Sequence, residues 1–169
     1  FVRERVDLVI EFQIDEHAAP IIADTIAAAK IPLIAVDIPH PHATYFGVDN
    51  YRAGVAAGEL LADFAVERWG GKVDWMIGLD IEEAGQMVQS RITGAIQAVR
   101  SRLPELPVEL FVRMDGRGMR ETSCKLILEF LRRHPKEKHI LIAAANDTSA
   151  IGAIAAVKEL GRTKHVAVV

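Results

Sequence analysis

The sequence has 169 residues, half of them hydrophobic and a quarter charged, with a formal net charge of -3 at neutral pH. That length suits one ordinary domain, or one complete lobe and part of another. The slightly acidic balance excludes charge-driven nucleic-acid binding, and no apolar run approaches the roughly 18 residues of a membrane span, which excludes direct membrane insertion.

In chain order, residues 6–12 read as a strand, and Asp15 or Glu16 opens a helix running through Ala29, with Pro20 tolerable only near its first turns. A second strand over 31–36 completes a βαβ unit. A Pro-rich loop follows over 37–42, then a short strand over 45–48. Asp49 and Asn50 cap a long helix over 51–68, which Gly70 and Gly71 end. From there strands over 73–79, 108–113, 139–145 and 165–169 alternate with helices over 87–102, 119–134 and 148–160. Such alternation predicts an α/β fold with a parallel sheet and helices on both faces. The uninterrupted apolarity of Ile140, Leu141, Ile142, Ala143 and Ala144 fits a strand near the sheet centre.

The motifs exclude more than they assign. Gly116-Arg117-Gly118 lies between a strand and a helix, but position 121 is Glu121, so the third glycine of a dinucleotide fingerprint is missing and a plain turn remains. Walker A, His-Glu-x-x-His and Gly-x-Ser-x-Gly patterns are absent, and no cofactor is implied. His40 and His42 read as loop histidines without a third metal ligand. The single cysteine, Cys124, falls inside a predicted helix and reads as a packed thiol.

Three places are informative about a site. Asp80, Glu82 and Glu83 lie just beyond the predicted strand end at Leu79, where carboxylates can accept hydrogen bonds from a polyol or simply be solvated. Arg91 stands in the first turns of the next helix, where the dipole favours anions over a guanidinium, so a bound polar solute or a carboxylate such as Glu83 should compensate. Asn146 and Asp147 mark a strand end meeting a helix start. There they can cap the helix, and they can also face a solute at the carboxyl edge of the sheet.

Taken together, Val36-Asp37, the run from Gly47 through Asp49-Asn50 to Gly54, Arg91-x-x-Gly94, and Ala145-Asn146-Asp147 with Gly152-Ala153 behind it resemble the type I periplasmic-binding-protein superfamily. The likeness extends over essentially the whole chain, to ribose-binding-like receptors of ABC importers and to the effector cores of lac-repressor-type regulators. It implies a two-lobed fold without catalysis, in which the lobes close around a small sugar or polyol. Residues 1–48 would be an incomplete first lobe and 49–169 most of the second, with both ends of the chain reading as cut. By the same likeness Asp37 binds sugar hydroxyls from the first lobe, Arg91 is the cleft arginine and Asn146 a cleft amide of the second. Met114 and Asp115 stand where the ribose group carries a stacking aromatic, and Ile38 stands where it carries arginine, so a sugar-like solute other than ribose is expected. Glu83 joins this set as a rim carboxylate. The leading expectation is an extracytoplasmic importer receptor that a membrane permease recognises. The alternative is a cytoplasmic regulator reaching operator DNA through a separate amino-terminal domain.

Overall fold

The alternation of apolar strands and amphipathic helices produces two parallel sheets. The computed structural model describes residues 1–13 and 15–169. The first sheet consists of β1 (Val9–Phe12), β2 (Leu33–Val36) and β3 (Thr44–Phe46) in the order β1-β2-β3, with α1 (Ala18–Ala28) between the first two strands. The second has the order β5-β4-β6-β7, from β4 (Trp75–Asp80), β5 (Phe111–Asp115), β6 (Ile140–Ala144) and β7 (Val166–Val168). Every pairing is parallel. The connecting helices are α2 (Asn50–Trp69), α3 (Gly85–Arg102), α4 (Arg120–Arg133) and α5 (Asp147–Glu159).

The second sheet is covered on both faces, as its continuous apolar strands require. Pleating sends Met76, Leu141 and Ala143 toward α2 and α3, where they bury Leu61, Ala62, Ala65, Ile92 and Val99. The alternate residues Ile77, Leu79, Ile140 and Ile142 bury Ile127, Leu131, Ala153 and Ala156 of α4 and α5 on the other face. β6 lies inside the sheet, as expected. The first sheet departs from the expected two-sided cover. Val9 and Leu33 pack on Ala23 and Ile26 of α1, while Ile10, Phe12 and Phe46 on the other face are 66%, 61% and 70% exposed.

Several boundaries move for local reasons. The strand expected over 108–113 is a 3-10 turn at Val108–Leu110 followed by β5, so Met114 and Asp115 lie within the strand. Asp15 does not open α1; its carboxylate accepts the His17 N–H at 2.8 Å in a turn, and the helix starts at Ala18. Asp80 ends β4 as a buried residue and is not part of the loop beyond it. Cys124 packs against the α4 and α5 core as expected.

α2 and α3 touch through glycine. A Cβ on Gly54 would overlap the Arg91 carbonyl oxygen, and one on Gly94 would overlap that of Tyr51. Small-to-large changes in such contacts cost about 1–3 kcal/mol. Gly54→Ala is therefore expected to lower the thermal midpoint by several degrees in a melt followed by circular dichroism. An unchanged midpoint would show that the helices separate freely.

Candidate ligand-binding site

The segments leaving the carboxyl ends of β2, β4 and β6 converge. Ile38 after β2, Ile81 and Ala84 after β4, and Ala145 after β6 belong to one buried apolar cluster, which also takes in Ala19 of α1. The polar residues around this seam form the candidate site.

Arg91 is its most connected member. One terminal nitrogen donates to the Ala145 carbonyl and the other to Asn50 Oδ1 at 2.5 Å, while the buried Nε has no partner among the described residues. Asn50 is itself buried at the start of α2, and the Asp49 carboxylate caps that helix by accepting the Arg52 N–H at 3.0 Å. Of the two compensations the sequence offers Arg91, a bound solute or a carboxylate such as Glu83, the second is not formed. Because α3 begins at Gly85 and not at Met87, Arg91 falls in its second turn facing α2 and β6. Glu83 is exposed and lies 3.9 Å from Arg117 instead.

Asn146 caps α5, its Oδ1 accepting the Ser149 N–H at 2.9 Å and its Nδ2 donating to the Gly118 carbonyl at 3.2 Å. That bond ties the β6 end to the glycine turn over 116–118, which holds no nucleotide fingerprint. Asp37 follows β2 in a left-handed conformation with φ of +63°, one that Asp tolerates better than most residues. Its N–H donates to the Phe46 carbonyl at 3.0 Å. The Tyr45 hydroxyl reaches the Asp37 carbonyl at 3.5 Å. Burial and the Asp37 carboxylate push the Tyr45 phenol up from its ordinary value and the Arg91 guanidinium pulls it back, so the hydroxyl is within electrostatic reach of both. It stays a protonated donor at neutral pH.

The loop after Asp37 is anchored: His40 lies in the loop, as expected, but is buried there, with Nδ1 2.8 Å from the Ile38 carbonyl and Nε2 against the Glu11 carboxylate of β1. His42 is exposed and only near Asp24. Among the described residues, no three His, Cys, Asp or Glu side chains group as a metal site.

A second network braces α3. Buried Asp80 accepts from Arg113 Nε at 2.6 Å, and the same guanidinium donates to Thr93 Oγ1 at 3.1 Å and the Gln89 carbonyl at 3.3 Å. Arg113 thus grips the helix on both sides of Arg91. Asp115 organises the rim, accepting the N–H groups of Glu82 at 3.3 Å and Arg117 at 2.9 Å. Met114 does not join the group; it packs with Leu79 against the α4 and α5 core. A groove of about 580 Å³ beside Arg91 is lined by Tyr45, Asp49, Asn50, Tyr51, Met87 and Ser90. A larger hollow of about 750 Å³ lies at the opposite, amino-terminal end of the second sheet's strands, bounded by Val73, Leu103, Leu106 and His139. It shares no residue with this constellation.

A family model described as periplasmic binding protein domain matches residues 1–169. The chain belongs to that family. Members of the periplasmic-binding-protein family are binding proteins. Among solved structures, the fold is similar to an ABC transporter periplasmic solute binding protein from Actinobacillus succinogenes with bound D-allose, at 24% identity and a TM-score of 0.77 over 99% of this chain and 59% of that one. A Mycobacterium smegmatis protein in complex with β-D-fucofuranose matches at 20% identity and TM-score 0.81, covering 99% of this chain and 56% of that one. A Bacillus halodurans ABC transporter solute binding protein with bound myo-inositol matches at 23% and 0.80, covering 99% and 56%. No curated protein sequence matches the chain significantly. This periplasmic-binding-protein chain spans 55–59% of the length of the solved structures it matches.

Sequence reasoning missed the Asp80–Arg113 brace and the role of Asn50. The brace joins residues distant in sequence, so no local spacing announces it. Replacing Arg113 by glutamine leaves the buried Asp80 carboxylate without its charged donor and should cost about 1–3 kcal/mol. Urea denaturation checks this; an unaltered midpoint would mean that Asp80 finds another donor.

Proposed function

We propose that the protein is the solute receptor of an ABC-type importer and binds a sugar or polyol between two lobes, to which residues 1–48 and 49–169 contribute. The observation that carries this reading is the convergence around Arg91. Its guanidinium is fixed by Asn50 and the Ala145 carbonyl, Asn146 stands beside it at the α5 start, and the anchored Asp37 loop lies on the other side of the apolar seam. Those groups supply what hydroxyl-rich solutes need, a carboxylate acceptor in Asp37 and donors in Arg91 and Asn146. Asp115 and Glu83 are rim acceptors in this reading. Met114 stands outside the site in this reading, since its side chain packs on the α4 and α5 core.

The names of the fold neighbours support this class. They include proteins solved with D-allose, myo-inositol and glycerol, and a galactofuranose binding protein. The receptor would work outside the cytoplasm, with a membrane permease reading the closed state. Among the described residues, no helix is long and apolar enough to cross a membrane itself. No observation in the fold favours the regulator reading, in which the same core would act on operator DNA.

Screening sugars and polyols against the full-length protein by thermal shift, followed by calorimetry, tests the proposal. A stabilising solute is expected, and Arg91→Ala should weaken it by about 1.5–3 kcal/mol, or roughly 10- to 150-fold. An Arg91→Ala variant that folds normally and binds with unchanged affinity would remove Arg91 from the site.

A further inference from the structure

We propose that Glu16 is a latch between the lobes, its carboxylate crossing from the first to sit on the amino end of α3 over Gly85 and favour the closed state. This rests on the two-lobe reading above. The amino end of α3 has no cap of its own: Ala84 occupies the N-cap position without a side-chain hydrogen bond, and the first turn carries no acidic residue. The Gly85 N–H turns back to the Glu82 carbonyl, which leaves the positive end of the helix dipole for a charged group from elsewhere.

Glu16 supplies one. It lies between β1 and α1, and its backbone N–H donates to the Glu83 carbonyl at 3.2 Å, two residues before α3 begins. Its carboxylate occupies the space directly over Gly85, where any Cβ would overlap both carboxylate oxygens. Gly85 also has a φ of +78°, a region that strains other residues, so glycine serves both the turn and the seat. Behind this polar contact, buried Ala19 and Ile38 share a cluster with Ile81, Ala84 and Ala145. The carboxylate thus guards the rim of an apolar seam, and separating the lobes removes both contacts together.

The latch predicts closure that responds to charge at position 16 before any solute is present. Spin labels at Asp24→Cys on α1 and Lys125→Cys on α4, in a full-length Cys124→Ser background, report the distance between the lobes by pulsed electron resonance. Glu16→Gln should shift the ligand-free distribution toward longer distances, and Glu16→Lys should shift it further, since a cation meets the positive helix end. Raising salt to about 1 M, where the screening length is about 3 Å, should shrink the difference between the variants. Where a binding solute such as myo-inositol is found, Glu16→Gln should weaken it roughly two- to five-fold. Circular dichroism melts confirm that each variant folds. Identical distributions for the parent, Glu16→Gln and Glu16→Lys would overturn the latch. The distance measurement needs no ligand, so failure to bind any sugar would count against the proposed function and leave this result standing.

Discussion

The guanidinium of Arg91 is the joint on which the candidate site depends. It links the first residue of α2, through Asn50, to the backbone leaving β6, through the Ala145 carbonyl. A helix side chain can make both bonds only if α2 and α3 run with their backbones nearly touching. Gly54, Gly58 and Gly94 make that approach possible, because each would place a Cβ inside the opposite helix's backbone or on its small side chains. The sheet beneath requires the same economy of volume: a Cβ on Gly78 of β4 would overlap the Ile92 side chain of α3. Close helix packing, a fixed arginine and a defined gap at the strand ends are thus one structural fact.

Charge burial around the joint follows a consistent rule. Asp80 is taken out of water, but Arg113 meets it with a short hydrogen bond from Nε, and each of its two terminal nitrogens donates to α3. Such pairs add little net stability over apolar side chains of the same size. Their value lies in geometry, since three donors in one plane fix the helix turn that carries Arg91. His40 does the equivalent for the Asp37 loop, with one ring nitrogen on a carbonyl of its own loop and the other on Glu11 of β1.

Much of this was legible from local pattern. The order of strands and helices, the burial of β6 and the caps at Asp49 and Asn146 follow from periodicity and short-range hydrogen bonding, which act within a few residues. Strand ends were less legible, because Pro107 precedes a 3-10 turn that delays β5 and so turns Met114 toward the core. The protein partners of Arg91 were not legible for a tertiary reason: Glu83, one of the two compensations considered, is near in sequence, whereas Asn50 and Ala145 are near only once two helices and a strand have packed. The burial of His40 and the seat of Glu16 over Gly85 likewise depend on contacts that no spacing encodes.

The central claim is that solute is held from both sides of the seam, by the Asp37 loop and by the Arg91 and Asn146 group. A crystal structure of the full-length protein with the tightest-binding sugar or polyol decides it most directly. The account predicts solute hydroxyls hydrogen-bonded to the Asp37 carboxylate and to Arg91 or Asn146 in the same molecule. Solute bound to one side alone, or in the hollow between Val73, Leu103 and His139 at the far end of the second sheet, would contradict it.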